Sequence, residues 1–271
     1  MKPTVGMVVA MASEVRLLFG REPWRPVKAH MIRRERLKDD TDLIVARAGV
    51  GIENSLAAAR RLISEGVTAL ISAGLAGGLS PGLKAGHLVI AADILQISRI
   101  NDGKIQGHWQ ADANCVALAR AAFTAEGVAA TCGKIITTQP AVLTTAHKES
   151  LFRQTRALAV DMESAAVARA AHENNIPFFG LRVICDPAEE SVPRVLYECL
   201  DPNGSVRLTA VLLNLARRPS LALDLSRLRR HFIAAGSALQ GAWRMQVRHH
   251  LPRRLASSRL SGARSTQTAE Y

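Results

Sequence analysis

Two acidic segments, Val160-Asp161-Met162-Glu163-Ser164 and Val183-Ile184-Cys185-Asp186-Pro187, each place a carboxylate near the end of an apolar stretch. Glu163 and Asp186 lie about two dozen residues apart with an amphipathic segment between, the length of one strand–helix–strand unit. In a parallel α/β sheet both side chains would reach one rim. The Gly-rich turn at residues 72–79, through Gly74, Leu75, Ala76 and Gly77, brings bare backbone to the same rim. Splitting a bond between a sugar and a purine needs a proton for the leaving base, acceptors for the sugar hydroxyls and a nucleophile at the anomeric carbon. Asp186 has the apolar neighbours that raise a carboxyl pKa and suit an acid. Glu163 can accept from both ribose hydroxyls, and Met162 beside it can pack on the sugar ring. Glu14, on the turn after the first apolar run, can orient a water or another incoming nucleophile.

Taken singly, each of these residues also has a purely structural reading. Asp186 before Pro187 can end a strand, Glu163 can be a charge favoured at a helix N-terminus, and Glu14 can cap a helix. The turn through Gly74 and Gly77 fails the GxGxxG spacing and has no Lys-Ser/Thr pair, so neither a dinucleotide site nor a P-loop is expected. His87, His108, His147 and His172 are scattered without metal-ligand spacing, and Cys115, Cys132, Cys185 and Cys199 form no CxxC pair. No metal, no resident cofactor and reduced thiols are the expectation.

The elements that must position these groups follow from hydrophobic period. Short apolar runs at 5–10, 42–48, 67–73, 88–94, 132–138, 157–161 and 177–185 read as strands, with helices at 53–65 and 163–174. Their alternation predicts one α/β domain with a central, mostly parallel twisted sheet flanked by helices. Asp201-Pro202-Asn203-Gly204 is a turn signal that ends this body at residue 203. Residues 207–217 and 221–243 are helical in pattern, separated at Pro219. In the second, Leu221, Leu225, Leu228, Phe232, Ala235, Leu239 and Trp243 share one face, with Arg227, Arg230 and Arg244 off it. Residues 204–246 thus read as a basic amphipathic extension. From 247 to 271 the Arg, Ser, Ala, Thr and Gly content predicts disorder.

At 271 residues and 48% apolar content, one large core can be buried. The net charge of +12 is uneven: between Arg207 and Arg264 there are twelve arginines, no lysine and one acid, a local balance of +11. No apolar run reaches the roughly 18 residues that span a bilayer, and no leader sequence is recognised at the start. A cytoplasmic protein, peripheral at the inner face of the membrane through the cationic helices, is expected.

Together the segments resemble the nucleoside phosphorylase/nucleosidase superfamily, and most nearly its methylthioadenosine/S-adenosylhomocysteine nucleosidase branch. The resemblance rests on residues 9–15, on Ala48-Gly49-Val50-Gly51, on residues 73–79, on Val160-Asp161-Met162-Glu163 and on Ile184-Cys185-Asp186, in that order. It implies Glu14 as the residue that activates water, Met162 and Glu163 as ribose-binding residues, and Asp186 as the catalytic acid. It also implies that the base lies against residues 137–142, bringing Val142 into the substrate site, and that the protein assembles as a homo-oligomer. The chain departs from the pattern at Leu75, where those nucleosidases have Ser. It departs again near Ala141, where their stacking aromatic is replaced by a small residue. The Arg-rich C-terminus resembles the hopanoid-associated phosphorylases, which implies adenosylhopane as substrate, adenine as one product and ribosyl-hopane or its phosphate as the other.

Hydrolysis and phosphorolysis both remain open at this level. Retention of Glu14 favours water, whereas inorganic phosphate as co-substrate would require ligands such as Ser13, Arg47 and the amides of residues 74–78. Two other functions compete: a soluble methylthioadenosine/S-adenosylhomocysteine nucleosidase, and a non-catalytic nucleic-acid binder. The body lacks a basic stripe and the arginines lack interleaved aromatics, so no nucleic acid is expected.

Overall fold

The computed structural model describes residues 2–20, 25–27, 30–98, 104–199 and 207–262. The turn at 201–204 and the last nine residues of the tail lie outside the described residues. Strands β1 (Thr4–Val9), β4 (Asp42–Arg47) and β5 (Ala69–Gly78) run parallel side by side, with Val9 opposite Arg47 and Val8 opposite Ser72. Their apolar runs are nearly unbroken because both faces are covered. Val5, Met7 and Val9 enter one core and Val8 the other; Leu43 and Val45, against Ile44 and Ala46, alternate in the same way. Strands β2 (Arg25–Val27) and β3 (His30–Arg36) extend this wing antiparallel.

Beyond β5 the sheet closes on itself. Strand β10 (Phe178–Asp186) pairs parallel with β5 and antiparallel with β6 (Leu88–Ile97). Strand β6 pairs with β8 (Ala130–Thr138), β8 with β9 (Ala159–Asp161), and β9 returns to β5. Strand β7 (Ile105–Gln110) hangs from β6. Among the described residues five of the ten pairings are parallel. The sheet is therefore mixed rather than mostly parallel. The parallel pairings join the strands that carry the site, and the antiparallel ones close or extend the sheet.

The closure leaves an opening that matters. One edge of β5 pairs with β1 only through Ser72 and with β9 only from Gly77. Residues 73–76 on that edge have no strand partner, so their backbone faces a crevice where the strand order changes, the usual place for a ligand in such sheets.

Helices α2 (Ile52–Ser64) and α5 (Ser164–Glu173) cover one face, with Ala58, Ala59, Ala165, Ala166 and Ala168 allowing close approach. The other face is covered by α1 (Ala12–Phe19), α3 (Ala113–Ala125), α8 (Leu221–Arg248) and α9 (Leu251–Gly262). Helices α4 (Thr145–Thr155), α6 (Arg194–Tyr197) and α7 (Leu208–Arg217) complete the chain. The predicted apolar face of α8 holds: Ala235, Leu239 and Trp243 are buried in the first core. The prediction of disorder after residue 247 does not hold for 251–262. There Leu251, Leu255 and Ala256 repeat at helical spacing and bury against the same core, which outweighs the polar composition between them. Helix α8, within the 204–246 extension, supplies part of the core beneath the sheet.

Candidate active site

Glu14 sits in the first turn of α1 and is only 2% exposed. One carboxylate oxygen accepts from the Met11 N–H at 2.9 Å, and the other from the Leu75 N–H at 2.8 Å. The second bond uses an amide that the gap between β1 and β9 leaves without a strand partner. Close approach requires Gly74, because a Cβ there would come within 2.7 Å of Glu14 Oε1. Burial raises the Glu14 pKa above the ordinary value, opposed by the two backbone N–H groups and by Arg182. Each oxygen accepts one N–H and retains a lone pair with which it can hold a water.

Glu163 precedes α5, half-buried, and reaches across to α2. Its Oε1 accepts from the Gly51 N–H at 2.9 Å, and Oε2 accepts from the Met162 N–H at 3.3 Å. Gly51, which donates that bond, has φ of +103°, a conformation that residues with a Cβ resist. Burial first, and then repulsion by Asp161, push the Glu163 pKa up to about 8.

Asp161 organises this corner. Its oxygens accept from Thr137 Oγ1 at 2.6 Å, from the N–H groups of Glu163 and Ser164, and from Arg182 Nε at 2.7 Å. It thus satisfies N–H groups at the start of α5 and pairs with Arg182, whose other donors reach Ser72 Oγ and the Leu181 carbonyl. Arg182 is 2% exposed, and truncating it would strand a buried carboxylate. Its visible signal in the sequence is one charge inside the apolar run at 178–185.

Asp186 ends β10 after a bulge at Cys185, with Gly77 as its strand neighbour. Its carboxyl is 20% exposed, and Oδ2 meets Lys148 Nζ at 2.7 Å. Burial raises its pKa, Lys148 opposes that, and His231 on α8 opposes it more weakly. Neither Lys148 nor His231 was expected at the site from the sequence. The signal for Lys148 was its place on the buried stripe of α4 with Leu151 and Thr155.

Two of the expected carboxylates, Glu14 and Glu163, line a small cleft with Arg182, Gly74, Leu75 and Ser72 among others, while Asp186 stands at the end of β10 beside Gly77 and is not among its lining residues. Met162 is half-buried, and its sulfur accepts from the Tyr197 hydroxyl at 3.7 Å, so a ring from α6 stands beside the ribose-site candidates. Leu75 is partly buried against the first core. Ala76 turns the other way, into the second core, because side chains alternate along β5. Val142 is a core residue packed with Leu79, Leu95, Ile136 and Leu151, 6% exposed, and does not line this cleft. Ser13 stands in the first turn of α1 and Arg47 ends β4, and neither is among the residues that line the cleft. Neither side chain has a hydrogen bond or ion pair among the described residues. No metal-ligand cluster occurs among the described residues.

The profile of the Phosphorylase superfamily matches residues 4–215. A 5'-methylthioadenosine/S-adenosylhomocysteine nucleosidase of Baumannia cicadellinicola subsp. Homalodisca coagulata is 26% identical over 201 residues, 68% of this chain and 86% of that protein. The fold is similar to an S-adenosylhomocysteine nucleosidase of Streptococcus pyogenes, with a TM-score of 0.69 at 21% identity, covering 93% of this chain and 98% of that one. It is also similar to futalosine hydrolase of Helicobacter pylori, with a TM-score of 0.65 at 20% identity over 93% and 97% of the two chains. With the profile spanning most of the sequence and every strand of the site, the chain belongs to the phosphorylase superfamily.

Proposed function

We propose that the protein cleaves the N-glycosidic bond of an adenine nucleoside. The observation that carries this reading is that Glu14 and Glu163 line one small cleft along β5, with Asp186 at the end of β10 beside Gly77 of β5. Asp186, with its pKa raised and its carboxyl partly open, protonates N7 of the leaving base. Glu163, once ionised, accepts the ribose hydroxyls as the sugar becomes oxocarbenium-like. Glu14, fixed by two N–H groups, holds the water that attacks the anomeric carbon. The nucleosidase relative supports hydrolysis. Ser13 and Arg47 are the groups that would hold phosphate if the nucleophile were phosphate.

The substrate we favour carries a large apolar 5' substituent, as adenosylhopane does. The support is the outer face of α8, where Leu223 is 80% and Ile233 54% exposed beside the exposed Arg229, Arg230 and Arg244. Such a face suits an anionic membrane surface, and no helix among the described residues is long and apolar enough to cross one. A second reading, methylthioadenosine/S-adenosylhomocysteine nucleosidase, is favoured by the similarity to proteins of that name.

Adenine release from adenosylhopane in liposomes and from methylthioadenosine, each with and without phosphate, tests these readings. Phosphate-independent release from the lipid nucleoside is expected. Preference for methylthioadenosine would select the second reading, and no adenine from either would overturn both. Asp186→Asn is expected to lower kcat by about 100-fold or more while substrate still binds.

A further inference from the structure

Lys148 has no part in the reading above, yet it is a charged side chain with 0% exposure. Its ammonium donates to the carbonyl oxygens of Pro187 and Glu190 at 2.8 Å each and of Asp186 at 3.2 Å. The Asp186 carboxylate lies nearer still, at 2.7 Å. Four acceptors share three protons, so the nitrogen is fully satisfied. Carbonyl groups solvate an ammonium but do not neutralise it, and Asp186 is the one carboxylate in ion-pair contact with it among the described residues. All four acceptors belong to residues 186–190, the loop that carries the proposed acid.

We infer that Lys148 is a positioning residue for Asp186, fixing the 186–190 loop through its carbonyls while holding the carboxyl oriented toward the base. The inference rests on the reading of Asp186 as the acid. Its chemistry follows from the dual contact. When Asp186 is ionised, Lys148 is its counter-charge. When Asp186 is protonated, the three carbonyls still solvate the ammonium, so the carboxyl can take up and give a proton without leaving a bare buried charge. Other charged or titratable groups face the pair. His231 and Arg227 on α8 approach Glu190, His231 also acts on Asp186, Glu189 is influenced by Lys148, and the Cys185 thiol on β10 feels Asp186, Glu14 and Lys148. None of them makes the direct contact that Lys148 makes.

Two measurements test the inference. In the pH profile of adenine release, activity falls as pH rises through the pKa of the acid. Removing the cation by Lys148→Met takes away the largest opposition to burial, so the falling limb is expected about one unit or more higher, with kcat reduced about tenfold or more. Lys148→Arg is expected to return the limb towards its original position. A proportional loss of activity with an unmoved limb would reduce Lys148 to a structural role. In the unsubstituted protein, the Lys148 side-chain nitrogen resonance is expected to shift at the pH where the Asp186 carboxyl carbon titrates. Independent titrations would overturn the inference, even if Lys148→Met fails to fold. The resonance measurement reads the pair whether or not adenine is released, so its failure is distinct from failure of the proposed activity.

Discussion

At Glu163 the fold holds a carboxyl that burial and Asp161 both discourage from ionising, with the Gly51 N–H and Arg182 only partly compensating. Its pKa is pushed up from the ordinary carboxylate range to about 8. The sign of the consequence follows from proton uptake. The unfolded chain releases this proton near the ordinary pKa, whereas the folded chain keeps it to about 8. The stabilisation is present in acid and is lost as pH rises through the folded value. Glu163→Gln cannot ionise, so its stability is expected to vary less between about pH 5 and pH 8.5, by on the order of 1–3 kcal/mol after coupling with its neighbours. Thermal unfolding of both proteins at the two pH values measures this. Parallel curves would show that another group sets the pH dependence. The carboxylates themselves were legible in the sequence because each interrupts or ends an apolar run. Their partners were less legible, since Lys148 and Asp186 are joined only by the folding of α4 beneath the 186–190 loop.

The elements are set by period, and α8 illustrates how far that goes. Its apolar face predicted a buried side, and Leu239 is fully buried while Leu223 on another face is exposed. Leu239→Ala is expected to cost about 2–5 kcal/mol through lost burial and a residual cavity. Leu223→Ala is expected to change stability by less than about 0.5 kcal/mol. Urea unfolding of the two variants distinguishes them, and equal effects would contradict the packing of α8 on the first core. Period says nothing about what a helix end touches. The contacts of Arg227 and His231 with Glu190, which bring α8 to the loop of Asp186, could not be read from heptads.

For the whole molecule, the charge asymmetry has two separable consequences. Helices α8 and α9 complete the first core, so their inward faces serve stability. The outward arginines are free of that duty. Replacing Arg229, Arg230 and Arg244 together by Gln is expected to leave the thermal midpoint nearly unchanged. Binding to anionic liposomes should weaken by about 1 kcal/mol per arginine, roughly 100-fold in all. Co-sedimentation with anionic and neutral vesicles at two salt concentrations measures it. Binding that is equal on both vesicle types, or indifferent to the substitutions, would remove the membrane role from this face. Deleting residues 207–271 would instead expose the core against which Leu239, Trp243 and Leu255 pack, and cannot isolate membrane affinity from folding.

Side-chain period and charges set in apolar runs were enough to read the α/β class, the runs that become β1, β4, β5, β8 and β10, and Glu14, Glu163 and Asp186 as candidate carboxylates. These are local properties, fixed by side-chain period and by charges set in apolar surroundings. Folding was needed to show that β10 closes the sheet between β5 and β6, and that β1 and β9 part to free the Leu75 N–H for Glu14. It also decided that Val142 and Ala76 face cores rather than the cleft, and that residues 251–262 fold onto the body. Each of these depends on pairing between segments far apart in the chain, where burial shared with a distant partner overrides what the local composition favours.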